Sequence, residues 1–237
     1  MKTPVYFISD IHLKLSLNDD EKKRRNNLYR LLDKIMETGG SCFFMGDLFD
    51  FYFEYPDLIP KSYFDFFEKT RRLKENGISL YFLAGNHDYW VGDHIKNEIM
   101  DEVYLEDKEI ELNGKKFLLT HGDGLLSWDH GYRLLKKVIR SKTFIWLFHW
   151  LHPTIGYRIA RIISRSGEKD THGQDFNEDV RIELQKVAKK HFEGGFDFMI
   201  SGHYHLGEMF LVNQGKLVVL GDWFHRPSYA VFDGEDL

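Results

Sequence analysis

Cys42 is the only cysteine in 237 residues, so no internal disulfide can form and no cysteine-built zinc site exists. Long apolar runs are missing as well. The longest uncharged stretch, residues 143–157, has fifteen residues, includes two histidines and is broken by Pro153, too little to span a bilayer. No charged segment precedes a long apolar one at the N-terminus, so Met1 to Ser9 reads as a first strand and not as a signal peptide. Repeats, low-complexity tracts, linkers and recognised nucleic-acid motifs are also lacking. These absences lead to the expectation of a cytoplasmic chain in a reducing compartment, with no nucleic-acid partner and no obligate protein partner readable.

With 43% hydrophobic and 29% charged residues the composition is that of an ordinary globular protein, and 237 residues can bury a sizeable core. One α/β domain over residues 1–237, carrying an insertion, is expected in preference to two domains. Aromatic side chains, 16% of the total, suit apolar or lipid-facing pockets, although core packing accounts for them equally well. Charge is unevenly placed. Between Gly131 and Arg165 stand eight Lys or Arg and no acid, so a chain of net −5 carries about −13 elsewhere. That asymmetry points to an anionic partner for one region only.

Strand-length apolar runs occur at Val5–Ile8, Cys42–Met45, Leu80–Leu83, Lys116–Leu119, Phe198–Ile200 and Leu217–Leu220. Helical spacing is predicted over Asp20–Thr38, with Leu28, Leu31, Leu32, Ile35 and Met36 on one face before Gly39-Gly40. It is predicted again over Lys61–Asn76 and over Asn177–Glu193. Asn113-Gly114 and Asn213-Gln214-Gly215 mark hairpins. Helix-flanked strands early and hairpins late imply two packed mixed sheets with helices outside. Residues from about 125 to 175 break the rhythm and read as a helical insertion. Arg133, Lys136, Lys137 and Arg140 recur at helical spacing there, as do Arg158, Arg161 and Arg165, around a nearly all-apolar run from Thr143 to Leu151.

Five short motifs follow apolar runs: Asp10-Ile11-His12, Gly46-Asp47-Leu48-Phe49-Asp50, Gly85-Asn86-His87-Asp88, His121-Gly122 and Gly202-His203-Tyr204-His205. Functional groups gather at the carboxyl ends of strands, where loops leave a rigid scaffold. Pairs two residues apart, Asp10 with His12 and His203 with His205, can turn toward common ions, and Asn86 offers a hard neutral oxygen. Asp47, nearest a glycine turn, is the candidate bridging carboxylate. Two cations about 3.5–4 Å apart can deprotonate a bridging water and stabilise in-line displacement at phosphorus. The bland reading is that a lone Asp or His is structural; Asp50 and Asp88 could simply cap helices or accept backbone bonds. It fits the seven histidines outside the motifs and is hard to sustain for five motifs together.

The order of these motifs resembles that of the calcineurin-like metallophosphoesterases over residues 10 to 205. The resemblance implies a two-sheet sandwich with a dinuclear centre: Asp10, His12, Asp47 and His205 on one ion, Asp47, Asn86, His121 and His203 on the other. It also implies that His87 lies beside the scissile group, oriented by Asp50. Within that superfamily the chain is most similar to the UDP-2,3-diacylglucosamine pyrophosphohydrolases of lipid A synthesis, through Ser9-Asp10-Ile11-His12-Leu13, Gly46-Asp47-Leu48-Phe49-Asp50, Thr120-His121-Gly122-Asp123 and the basic, aromatic insertion. It departs from them in having His87 where they carry Arg, and Gly-His-Tyr-His where they carry Gly-His-Thr-His. The implied cofactor is a pair of divalent ions, Mn2+ favoured, with Fe, Zn or Co compatible. The implied partners are a nucleotide-linked glycolipid and the inner membrane surface, with substrate contacts from Asn86, His87, Asp129, Arg158, Arg161, Arg165 and His203. Two other functions stay open: a phosphoesterase for a soluble nucleotide, phosphoprotein or other ester, and a non-catalytic binding module, which ligand loss would mark. For the insertion, a subdomain whose basic face packs on the acidic body competes with a lipid-facing cap.

Overall fold

The computed structural model describes residues 1–159 and 174–237. Two five-stranded sheets pack face to face. In the first, the order is β10 (Ala230–Phe232), β1 (Val5–Ile8), β2 (Ser41–Phe44), β3 (Ser79–Leu83), β4 (Glu102–Tyr104). In the second it is β5 (Lys108–Leu112), β6 (Lys115–Thr120), β7 (Phe198–Ser201), β9 (Gly215–Val219), β8 (Glu208–Val212). Strands β1 to β4 run parallel, as do β6, β7 and β9; β10, β5 and β8 are antiparallel edges. The mixed two-sheet architecture is the expected one.

Period-two alternation sorts each strand between two apolar layers. Val5, Phe7, Phe43, Tyr81, Leu83, Phe117, Leu119, Phe198, Ile200 and Val218 meet between the sheets. Tyr6, Ile8, Cys42, Phe44, Leu80 and Phe82 face the opposite way, against α1 (Asp19–Thr38) and α2 (Phe64–Glu75). Leu118, Met199, Leu217 and Val219 face Val180, Leu184 and Ala188 of α6 (Gln174–Glu193). The central strands of both sheets are thus buried on both faces, which is why they read as continuous apolar runs.

Helix α1 begins where Asn18 Oδ1 accepts the Glu21 N–H and ends at Gly39, whose φ of 79° only glycine takes readily. The Lys61–Asn76 pattern is realised as a 3₁₀ turn, Lys61–Tyr63, leading into α2. At Asn113-Gly114 both residues have positive φ, 49° and 79°, as a type I′ hairpin turn requires. Two strands escaped the sequence reading, β4 and β10, each three residues long. β4 opens on an acid, whereas β10 is apolar throughout, and the short run Tyr229–Phe232 was the available signal.

Between β6 and α6 the described insertion holds α3 (His130–Ile139), α4 (Lys142–His149) and α5 (helical residues 153–159). Its amphipathy is inverted. The basic face of α3 turns inward: Arg133 donates to the carbonyls of Gly124 and Leu126, and Lys136 lies 2.9 Å from Asp123 Oδ2. Leu134, Leu135 and Val138 face solvent, as do Trp146 and Leu147 of α4, Trp150 at its C-cap, and Ile155 and Ile159 of α5. Phe144, Ile145 and Phe148 of α4 are half-buried, with Phe148 packing at 4.5 Å from the Phe53 ring. Docking to the body is completed by Trp90 Nε1 donating to the Ile139 carbonyl and Tyr157 Oη donating to that of Phe53. The packed basic face is thus realised together with an apolar face turned outward.

Candidate metal centre

All five motifs emerge from the carboxyl ends of parallel strands, on one edge of the sandwich. Asp10 and His12 follow β1, Asp47 follows β2, Asn86 and His87 follow β3, His121 follows β6, and His203 and His205 follow β7. Their backbone is strained where they turn inward. Asp10, His12, Asp47, His203 and His205 all have φ between 49° and 65°, a region non-glycine residues rarely occupy. Among the described residues, the other non-glycine residues with positive φ are Asp57 and the hairpin asparagines Asn113 and Asn213. Strain concentrated on five of seven expected ligands is typical of a site whose geometry is imposed by its surroundings.

The donor atoms form two clusters: Asp10, His12 and His205 in one, Asp47, His121 and His203 in the other, each within 4.8 Å. Asp47 Oδ2 lies between them, 3.4 Å from His121 Nε2 and 3.8 Å from His12 Nε2. His205 Nε2 is 3.1 Å from Asp10 Oδ1. Asn86 Oδ1 sits 3.1 Å from His121 Nε2 and 3.0 Å from His203 Nδ1. His121 Nδ1 is 3.0 Å from the Met45 carbonyl, which only accepts; the neutral ring therefore keeps its proton on Nδ1 and offers the Nε2 lone pair to a cation. Two carboxylates, an amide oxygen and four imidazoles make a donor set suited to two borderline divalent cations.

Electrostatics show the same demand for positive charge. Burial opposes ionisation of Asp10, but His205 outweighs it and holds the carboxyl at about 2. Asp47 is held well below its ordinary value because His121 and His87 overcome burial. Burial works against charge on His121 too, yet Asp47 raises it to about 10. By contrast, burial lowers His12 to about 3 and His203 to about 4. Without cations, the carboxylates recruit protons onto the ring nearest Asp47.

Close approach explains two glycines. A Cβ on Gly46 would strike His121 Nδ1, and one on Gly85 would strike Asp47 Oδ1, so any side chain there displaces a candidate ligand. Asp88 accepts the backbone N–H groups of Asp47, Leu48, Phe49 and Gly85 at 2.7 to 3.2 Å and ties two ligand loops together. Burial, reinforced by Asp47, nevertheless pushes its carboxyl up to about 7. Arg24 of α1 donates to the carbonyls of Ile11 and His12 and pins the first loop.

His87 Nε2 lies 3.9 Å from Asp47 Oδ2, at the lip of the centre. Its Nδ1 is 2.7 Å from the backbone carbonyl of Asp50, which accepts its proton. The turn after β2 brings the Asp50 main chain across the ring. His87 also falls within a third possible donor group with His12 and Asp47.

The remaining predicted contacts scatter. Asp129 is half-buried at the start of α3, and Arg158 is exposed on α5; Arg161 and Arg165 lie outside the described residues. The structure adds to the site's surroundings residues that the sequence reading named without a role there. Asp123 collects Tyr132 Oη at 2.8 Å, Lys136 at 2.9 Å and Arg140 at 3.1 Å. Arg140 also donates to the Gly85 carbonyl and stacks over Tyr89, joining the insertion to two ligand loops. Asp123 follows His121-Gly122 directly, and that adjacency was the available signal.

The chain belongs to the calcineurin-like phosphoesterase family, whose pattern matches residues 3–207. It is similar to the UDP-2,3-diacylglucosamine hydrolase of Porphyromonas gingivalis, 33% identical over all of this chain and 97% of that protein. The protein of the same name from Aeromonas salmonicida is 28% identical over 95% of this chain and 88% of its own. Among solved structures, Vps29 of Cryptosporidium parvum aligns with a TM-score of 0.48 and 14% identity, over 98% of this chain and 86% of its own. No helix among the described residues is long and apolar enough to cross a membrane.

Proposed function

We propose that this protein hydrolyses UDP-2,3-diacylglucosamine to UMP and 2,3-diacylglucosamine 1-phosphate, as a two-metal enzyme of lipid A synthesis working at the cytoplasmic membrane surface. One juxtaposition carries the reading: a carboxylate shared by two donor clusters lies beside an insertion whose outer face is apolar. Full-length likeness to relatives bearing that substrate's name supports it.

Asp10, His12, Asp47 and His205 would hold one ion, and Asp47, Asn86, His121 and His203 the other, with Mn2+ expected. When bound, such a pair supplies an activated water and neutralises charge developing at phosphorus. The protein's own share is positional. His121 is locked in one tautomer by Met45, and Asp88 holds the Asp47 and Gly85 turns in register. His87, with Nδ1–H directed to the Asp50 carbonyl, presents Nε2 to the leaving oxygen as acid or charge stabiliser. Residues 125–175 would act as the cap, their exposed Trp146, Trp150 and Leu147 meeting acyl chains or bilayer and Lys137, Lys142 and Arg158 meeting anionic headgroups.

The test is a parallel assay of the Mn2+-loaded protein on UDP-2,3-diacylglucosamine, UDP-glucose and an aryl phosphate. Strong preference for the diacylated substrate is expected. Equal turnover of all three would assign a general phosphoesterase, and no turnover of any would assign a binding module.

A further inference from the structure

The connection from β9 to β10 lies beyond the residues matched by the family pattern, yet it folds against the first donor cluster. Asp222 is 4% exposed. Its Oδ1 accepts the backbone N–H groups of Phe224 and His225, each at 2.7 Å, which closes a tight turn. Its Oδ2 faces His205 Nδ1 at 4.0 Å, behind the ring nitrogen that approaches Asp10. The Trp223 N–H donates to the Asp10 carbonyl at 3.1 Å. Phe224 then lies over the His12 ring, with centroids 5.9 Å apart and planes inclined by 29°. The Arg24 guanidinium stands 4.0 Å from the Phe224 centroid, and Arg24 itself holds the His12 carbonyl.

These contacts fall on Asp10, His12 and His205, the members of one cluster. A separation of 4.0 Å is too long for a hydrogen bond, so Asp222 acts on His205 through charge. A buried carboxylate on that side favours the proton on Nδ1 and leaves the Nε2 lone pair toward Asp10. This is how outer carboxylates orient imidazole ligands. Phe224 covers one face of His12 and limits water access there.

We propose that Asp222 and Phe224 are positioning residues for one ion of the pair: Asp222 sets the tautomer of His205, and Phe224 fixes and shields His12. This rests on the reading of Asp10, His12 and His205 as ligands, and it adds a support that no family motif supplies. Asp222 as a mere turn-former is the competing role. Asp222→Asn separates the two, since its amide oxygen can still accept from Phe224 and His225 while the charge behind His205 is gone.

The experiment is calorimetric titration of metal-stripped, full-length protein with Mn2+, with bound metal counted by elemental analysis. Wild type should bind two ions; a single ion would remove the two-ion reading and this inference with it. In Asp222→Asn and in Phe224→Leu, one ion should weaken about 10–100-fold while the other keeps its affinity. The melting temperature of the stripped Asp222→Asn protein should match wild type. Two ions weakened equally, or neither weakened, would overturn the proposal, because selective loss is what a turn-former does not produce.

Discussion

Asp47 is the residue on which most depends. Its Oδ2 stands among the Nε2 atoms of His12, His87 and His121 at 3.4 to 3.9 Å, so its loss removes a donor from both clusters. Asp47→Ala should abolish binding of both ions, read by elemental analysis, whereas His203→Ala should spare one. His87→Ala should instead keep both ions and lose about 10²–10⁴-fold in rate, the usual range for an acid–base group. The sign of its pH dependence follows from its surroundings: burial disfavours the cation, but Asp47 and the Asp50 carbonyl raise His87 above the ordinary histidine value. If the charged ring is required, activity falls as pH rises through that raised value. His87→Arg should then keep activity and flatten the alkaline limb of the rate profile. Metal binding carries its own proton linkage. His121 is raised to about 10 in the absence of cations, so it is protonated at neutral pH and must release that proton on loading. Affinity for Mn2+ should therefore fall as pH is lowered from 9 to 7, by about tenfold per pH unit per proton displaced, and calorimetry in buffers of different ionisation enthalpy should register the release.

At the scale of elements, the insertion is oriented by ionic contacts on one side and aromatic packing on another, and this separates residues that composition groups together. Trp150, 76% exposed, and Trp146 project away from the body, while Phe148 fills a site among Phe51, Phe53 and Phe144. Replacing Trp146 and Trp150 with Ser should raise KM for the diacylated substrate and spare an aryl phosphate, since each methylene withdrawn from contact forfeits roughly 0.8 kcal/mol. Phe148→Ser should act differently, costing roughly 2 kcal/mol of stability, below the range for a fully buried ring, and affecting both substrates through a loosened cap. Thermal melts beside the two assays distinguish these outcomes. Equal loss on both substrates in the double-Trp variant would make the outer face structural and remove the main physical support for a lipid substrate.

For the whole molecule, the site joins the two sheets. Candidate ligands follow β1, β2 and β3 of one sheet and β6 and β7 of the other, so an ion pair held there would cross-link both halves of the sandwich. Anything that binds the folded state alone stabilises it, by about 2.7 kcal/mol at a hundredfold excess over Kd. Mn2+ should raise the melting temperature of wild type, chelation should reverse the gain, and Asp47→Ala should respond to neither. Local sequence settled the strand and helix cores, since period-two runs such as Val5–Ile8 and the Leu28–Ile35 stripe report burial directly. It also pointed to the candidate oxygen and imidazole donors, because the five motifs all follow strand-length apolar runs. Other features required the folded chain. β4 and β10 are strands because neighbours pair with them, the Asp50 carbonyl reaches His87 because the β2 and β3 loops meet, and the basic face of α3 turns inward because Asp123 and the Gly85 carbonyl await it. Asp222, some 210 residues from Asp10 and outside any motif, joins the site only when β9 is placed beside β7. Periodicity and motif spacing are local quantities that a linear reading can carry. Pairing partners, the direction of a charged face and the company a carboxylate keeps are set by contacts distant in sequence, and only the tertiary structure decides them.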